Sequence, residues 1–137
     1  MFQGIRYVAV AVNNLEEAIE RFGRLYGLQP MREPTLGRWG FNTVMLAAGD
    51  QRMIELMSPP PDSDSALARL MKERAIPSNP YGEGVYLISV TVEDIEKSIK
   101  QIEDDYNKLW NNYSYYQVEQ SVNRSVRFFA RNLRRKL

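Results

Sequence analysis

The stretch of sequence that decides the fold is IRYVAVAVNNLEEA, residues 5–18. Its first eight residues are rich in valine, which predicts a β-strand over residues 5–12. Alternation along that strand sends Tyr7, Ala9 and Ala11 to the face opposite Val10 and Val12. Asn14 then predicts the N-cap of a helix, with Glu17 three residues later in a capping-box pattern. The stretch therefore predicts a strand that runs directly into a capped helix.

The segments that follow continue this β-α unit with short runs separated by Gly and Pro. They predict strands over residues 29–32, 41–48 and 51–57, a short helix capped by Ser63 or Asp64, a strand over 85–92 and a helix after Asp94. We therefore predict an α+β fold: a βαβββ module with a mixed curved sheet, a fifth strand and a C-terminal helical extension.

The sequence changes character near residue 105. Apolar residues recur at spacings of three and four from Val118 to Leu137, which predicts one helical stripe. Residues 124–136 carry six basic side chains, so nucleic acid or an anionic surface could bind there. We favour packing of this helix over the sheet or against a second copy. The predicted organisation is a domain over residues 1–104 with an incomplete second module, and an extension over 105–137 that is not an independent domain.

The composition excludes several kinds of chemistry. The chain has 137 residues, with 18 Lys plus Arg, 17 Asp plus Glu, no His and no Cys, which describes one small domain of balanced charge. Without Cys there is no thiol nucleophile, disulfide or Cys-ligated zinc. Without His there is no Ser-His-Asp triad and no imidazole base or metal ligand. No secretory leader or membrane-spanning run is recognisable, so we expect a cytoplasmic location.

Residues 4–104 resemble the vicinal oxygen chelate superfamily, which contains glyoxalases, bleomycin-resistance proteins and dioxygenases. The resemblance rests on four stretches: residues 5–18, Leu25-Tyr26-Gly27-Leu28 at the helix end, Met53-Ile54-Glu55-Leu56 on the fourth strand, and residues 82–95, which look like the opening of a second module. It implies a cleft on a curved sheet and, in catalytic members, one divalent metal. By position, the first-strand His of such members becomes Tyr7, their Glu is kept as Glu55, and the His of the second module falls at Leu87.

These substitutions favour the metal-free, ligand-sequestering branch of the family. We therefore predict a metal-independent small-molecule-binding protein, with no cofactor, no metal site and no catalytic residue, that takes an apolar, aromatic or cationic ligand. The cleft is expected to be shared by a homodimer. Its predicted ligand-binding residues are Tyr7, Ala9, Trp39, Phe41, Glu55, Leu87 and Ser89.

Two alternatives remain open at this point. The chain could be a degenerate glyoxalase-like lyase, isomerase or dioxygenase relative, with Glu55 as a general base and Tyr7 as an acid. It could instead be a non-catalytic interaction protein that uses the basic C-terminal helix. Each predicted site residue also has a structural interpretation: Glu55 as a satisfied buried acid, and the aromatic residues as packing of the sheet.

Overall fold

A computed structural model describes residues 2–109, 118–121 and 125–129 of the chain. The described residues form two compact units, one of residues 7–86 and one containing residues 2–6 and those from Leu87 onward. The elements, in chain order, are β1 (Phe2–Ala11), α1 (Leu15–Tyr26), β2 (Gln29–Pro30), β3 (Thr35–Leu36), β4 (Asn42–Ala48), β5 (Gln51–Ser58), α2 (Ala66–Arg74), β6 (Gly84–Val92), α3 (Ile95–Leu109), β7 (Val118–Ser121) and β8 (Ser125–Phe129).

The unit of residues 7–86 contains the predicted βαβββ module. Strand β1 pairs in parallel with β5, β5 pairs antiparallel with β4, and β4 pairs antiparallel with the short strands β2 and β3. Parallel and antiparallel pairs therefore share one mixed sheet. The α+β prediction is confirmed, and β3 is an addition because the sequence predicted a loop there.

Helix α1 covers one face of this sheet. The buried residues beneath it form a cluster of small and branched apolar side chains: Val12, Ala18, Leu28, Val44, Leu46 and Leu56. Val10 and Ile54 pack against the cluster, as strand alternation requires. Leu25 and Tyr26, which continue the apolar spacing of the helix, are 59% and 67% exposed, so the last turn lies beyond the edge of the core. The opposite face of the sheet carries Tyr7, Ala9 and Ala11.

Both ends of α1 follow from the sequence. The side chain of Asn14 accepts a hydrogen bond from the backbone N–H of Glu17 at 3.2 Å, which satisfies one free helix donor. The Glu17 carboxylate pairs with Arg21 one turn later. Gly27 ends the helix in the left-handed region at φ 69°, a conformation that costs glycine little.

Helix α2 begins one or two residues later than predicted from a cap at Asp64 or Ser63. Ser65 is its N-cap and accepts a hydrogen bond from the N–H of Ala68, whereas Ser63 accepts one from the N–H of Ser65. The helix buries Leu67, Leu70 and Met71. No helix in the described ranges is both long enough and apolar enough to cross a bilayer.

In the second unit, β8 pairs antiparallel with both β6 and β7, and the described part of α3 precedes them. The prediction of a C-terminal helix is wrong for residues 118–121 and 125–129, which form strands. Val118 and Val126 lie on two different strands, and the antiparallel register places them on the same side of the β7–β8 pair. Branched and aromatic side chains then favour the strand. Most of the basic segment 124–136 lies outside the described residues.

Candidate functional site

A single carboxylate lies on the face of the sheet that α1 does not cover. In the strand register, Glu55 of β5 stands between Ala9 of β1 and Met45 of β4. Met57 follows two residues later on the same side of β5, directly beside Ala11. We call this surface the Glu55 face, defined by Tyr7, Ala9, Ala11, Met45, Glu55 and Met57.

Most of the Glu55 face is withdrawn from water. Tyr7, Ala9 and Met57 are buried, while Glu55 and Met45 are partly exposed. The Oε2 atom of Glu55 is itself buried from solvent. A carboxylate in such surroundings interacts with a cation more strongly than a surface carboxylate does, because the effective dielectric is lower. The face is therefore largely apolar, with the partly exposed Glu55 as its acidic side chain.

Sequence reasoning named Tyr7, Ala9 and Glu55 of this face as ligand-binding residues but did not name its methionines as such. Met45 and Met57 are its thioether side chains, and Met45 stands directly opposite Glu55 across the β4–β5 pair. Alternation from Glu55 was enough to place Met57 on the face. Met45 needed the pairing register, which the sequence does not give. Methionine adapts its shape to a bound apolar or aromatic group, so these residues suit a binding surface.

The other predicted aromatic residues occupy different environments. Phe41 is 4% exposed and packs edge-on against Tyr86, with ring centroids 6.3 Å apart. Trp39 is 50% exposed, and the guanidinium of Arg38 lies over its ring at 4.6 Å. The geometry thus joins Phe41 to Tyr86 and Trp39 to Arg38. Contact of Phe41 or Trp39 with a ligand stays a prediction.

The last two predicted residues belong to β6 in the second unit. Leu87 and Ser89 are 1% and 0% exposed and pair with Phe129 and Arg127 of β8. The Ser89 Oγ is buried and has no hydrogen-bond partner among the described residues. A buried hydroxyl without a partner is uncommon in folded proteins and calls for an explanation. Its role as a ligand contact stays a prediction.

The family's metal can be tested against the donors that are present. Glu55 supplies a carboxylate, but its register neighbours Ala9 and Met45 offer no hard oxygen or nitrogen donor, and Leu87 has no donor atom. Within residues 2–109, 118–121 and 125–129, no three His, Cys, Asp or Glu side chains cluster as a metal site would require. The donor set does not fit the metal of the catalytic members, and we derive no step through one.

The fold has solved counterparts. Methylmalonyl-CoA epimerase from Mycobacterium tuberculosis superposes with a TM-score of 0.65 at 20% identity, covering 94% of this chain and 79% of that one. A variant of the Streptomyces coelicolor epimerase, solved in complex with 2-nitronate-propionyl-CoA, gives 0.64 at 18% identity, covering 95% and 89%. A hypothetical protein from Bacillus halodurans gives 0.61 at 20% identity, covering 85% and 71%. At these identities the similarity shows the fold.

The βαβββ module with its acidic strand position defines the class: a protein of the vicinal oxygen chelate fold. The sequence profile of the glyoxalase/bleomycin resistance protein/dioxygenase superfamily matches residues 6–123. The chain belongs to that superfamily, and the resemblance inferred from the sequence is confirmed. No curated protein sequence matches it significantly.

Proposed function

We propose that this protein binds a small organic molecule with an apolar or aromatic body and a positive charge, on the Glu55 face and without a metal. The observation that carries the proposal is the position of Glu55 between Ala9 and Met45, a carboxylate set in an apolar row. An apolar floor with a few placed polar groups is the usual form of a small-molecule site. The Glu55 carboxylate gives this site its preference for a cation.

The chemistry of the face favours binding over catalysis. The chain has no histidine, and Glu55 is the acidic member of a face whose other members are tyrosine, alanine and methionine. One carboxylate and one phenol are enough to orient a charged ligand. The epimerases of the same fold act on CoA esters, whereas a ligand for the Glu55 face is expected to be cationic. A homodimer that shares the cleft, and a cytoplasmic location, are further parts of this proposal.

Replacing Glu55 by Gln is expected to weaken binding of a planar cation about tenfold, which corresponds to about 1.4 kcal/mol. The substitution keeps the size of the side chain and removes its charge. Ethidium is a suitable probe because it joins a flat aromatic body to a fixed positive charge, and its fluorescence reports binding. The titration is done with and without a chelator, which is expected to change nothing.

The matched control for charge is Asp50→Asn, since Asp50 is exposed in the turn between β4 and β5. This variant removes the same charge from the same hairpin and is expected to bind ethidium as the unmodified protein does. Equal affinities for the unmodified protein and Glu55→Gln would contradict the proposal, as would equal losses in the two variants. Loss of binding on addition of chelator would overturn the metal-free part.

A further inference from the structure

A groove separate from the Glu55 face opens at the end of the parallel pair β1 and β5. Both strands run out at the same edge of the sheet, and each is followed by a loop that leads into a helix, α1 or α2. The groove between these loops has a volume of about 810 Å³. Crevices outside the carboxyl ends of parallel strands are a recurrent place for ligands in sheets of this kind.

The walls of the groove are fixed by hydrogen bonds between distant parts of the chain. The Ser58 hydroxyl donates to the Asn13 carbonyl at 3.0 Å, which joins the loop after β5 to the loop after β1. The Asn13 N–H donates to Glu83 Oε1 at 2.7 Å. The Asn79 side chain in turn donates to the Glu83 carbonyl and accepts from its N–H, at 2.9 and 3.1 Å. The groove is therefore held open by the folded chain itself.

The lining combines neutral polar groups with apolar surface. Amide and hydroxyl side chains line it from four segments of the chain: Asn13, Asn14, Asn42, Ser63 and Tyr81. The Tyr81 side chain is 57% exposed, so its ring is available to a ligand. Pro59–Pro61 contribute rigid apolar surface. Amides and hydroxyls donate and accept at the same site, which matches the mixed character of a ligand hydroxyl.

The charged residues that line the groove make binding of an anionic ligand unfavourable. Its lining includes the carboxylates of Glu16 and Asp62, and no Lys or Arg is among the described residues that line it. A phosphate or carboxylate ligand would meet these acids without a compensating basic side chain. Carboxylates accept hydrogen bonds from neutral hydroxyls without such a penalty.

We infer that this groove is a second binding site and that it takes a neutral, hydroxyl-rich ligand of saccharide type. The exposed ring of Tyr81 packs against the C–H face of the ligand, and the amide and hydroxyl side chains bind its hydroxyl groups. A volume of this size falls within the range of small-molecule sites. The site is built entirely within residues 7–86 and does not depend on the Glu55 face.

The test is an NMR titration of the full ¹⁵N-labelled chain with maltose, with glucose 6-phosphate as the anionic counterpart. Maltose is expected to shift the amide resonances of Asn13, Ser63 and Tyr81 with a Kd on the order of 1 mM. Tyr81→Ala is expected to weaken binding at least tenfold, and Asn13→Ala to weaken it less. Both side chains are exposed, so the variants keep the fold.

The matched control is Tyr26→Ala, because Tyr26 is an equally exposed tyrosine at the end of α1 that does not line the groove. It is expected to leave maltose binding unchanged. Three results would overturn the inference: no shift at the groove residues, stronger binding of glucose 6-phosphate than of maltose, or equal losses in Tyr81→Ala and Tyr26→Ala. None of these results bears on ethidium binding at Glu55, so the two sites are tested separately.

Discussion

Gly82→Ala is expected to destabilise the protein by at least about 3 kcal/mol, the largest effect predicted for a single substitution here. A Cβ atom added at Gly82 would lie 1.8 Å from the carbonyl oxygen of Met71 in helix α2. The obstacle is backbone and cannot rotate away. Gly82 also has a φ of 62°, a region that side chains rarely adopt. Either the helix or the loop that carries Tyr81 must move.

The control that isolates the contact is Gly49→Ala. Gly49 has nearly the same φ, 61°, but nothing lies within 4 Å of the added Cβ. The Gly49→Ala variant is expected to lose about 1–2 kcal/mol of stability, because alanine must adopt the left-handed conformation. Urea unfolding of the two variants measures the difference. Equal losses would show that α2 does not approach Gly82 as closely as described.

Ser89→Ala is expected to stabilise the protein by about 1 kcal/mol, although it removes a polar group from β6. The Ser89 hydroxyl is fully buried without a partner among the described residues, so its desolvation is not offset there. Ser58→Ala is the matched control, since Ser58 is equally buried but donates to the Asn13 carbonyl. Ser58→Ala is expected to lose about 1 kcal/mol of stability, because it removes this hydrogen bond.

The two serine variants are expected to change the stability of the protein in opposite directions. Thermal unfolding of the full chain measures both. If Ser89→Ala is destabilised as much as Ser58→Ala, the Ser89 hydroxyl has a hydrogen-bond partner that the described residues do not include.

The module could be predicted from the sequence because its determinants are local. The valine-rich strand, the Asn14 cap and the Gly27 end of α1 each depend on a few adjacent residues. Alternation also placed Tyr7, Ala9 and Glu55 on the face opposite α1. What alternation cannot supply is the partner of each residue on the next strand. The Ala9–Glu55 pair joins residues 46 positions apart. Met45 was missed because the register of the β4–β5 hairpin shifts between Leu46 and Ala47, and counting back from the turn does not reveal that shift.

The tail shows how a pattern can support two structures. Apolar residues at spacings of three and four predict a helical stripe from Val118 onward, yet the valines and phenylalanines that make up this stripe also favour strands. Strands β7 and β8 follow the second possibility at residues 118–121 and 125–129. The groove could not be predicted for another reason. Its walls depend on the hydrogen bond between Asn13 and Glu83, which are 70 residues apart in the sequence. Loop residues show no regular sequence pattern that would predict such a contact.

The central claim, that a cationic ligand binds on the Glu55 face, is tested most directly by the methionine methyl groups. The chain has six methionines, so protein labelled with [methyl-¹³C]methionine gives a simple spectrum that Met→Leu variants assign. Met45 and Met57 belong to the Glu55 face, and Met71 lines the groove.

Ethidium is expected to shift the methyl resonances of Met45 and Met57 and to leave that of Met71 in place. The same titration of Glu55→Gln is expected to give these shifts only at about tenfold higher ligand concentration. A shift confined to Met71, or no shift at Met45 and Met57 while ethidium binds, would contradict the account.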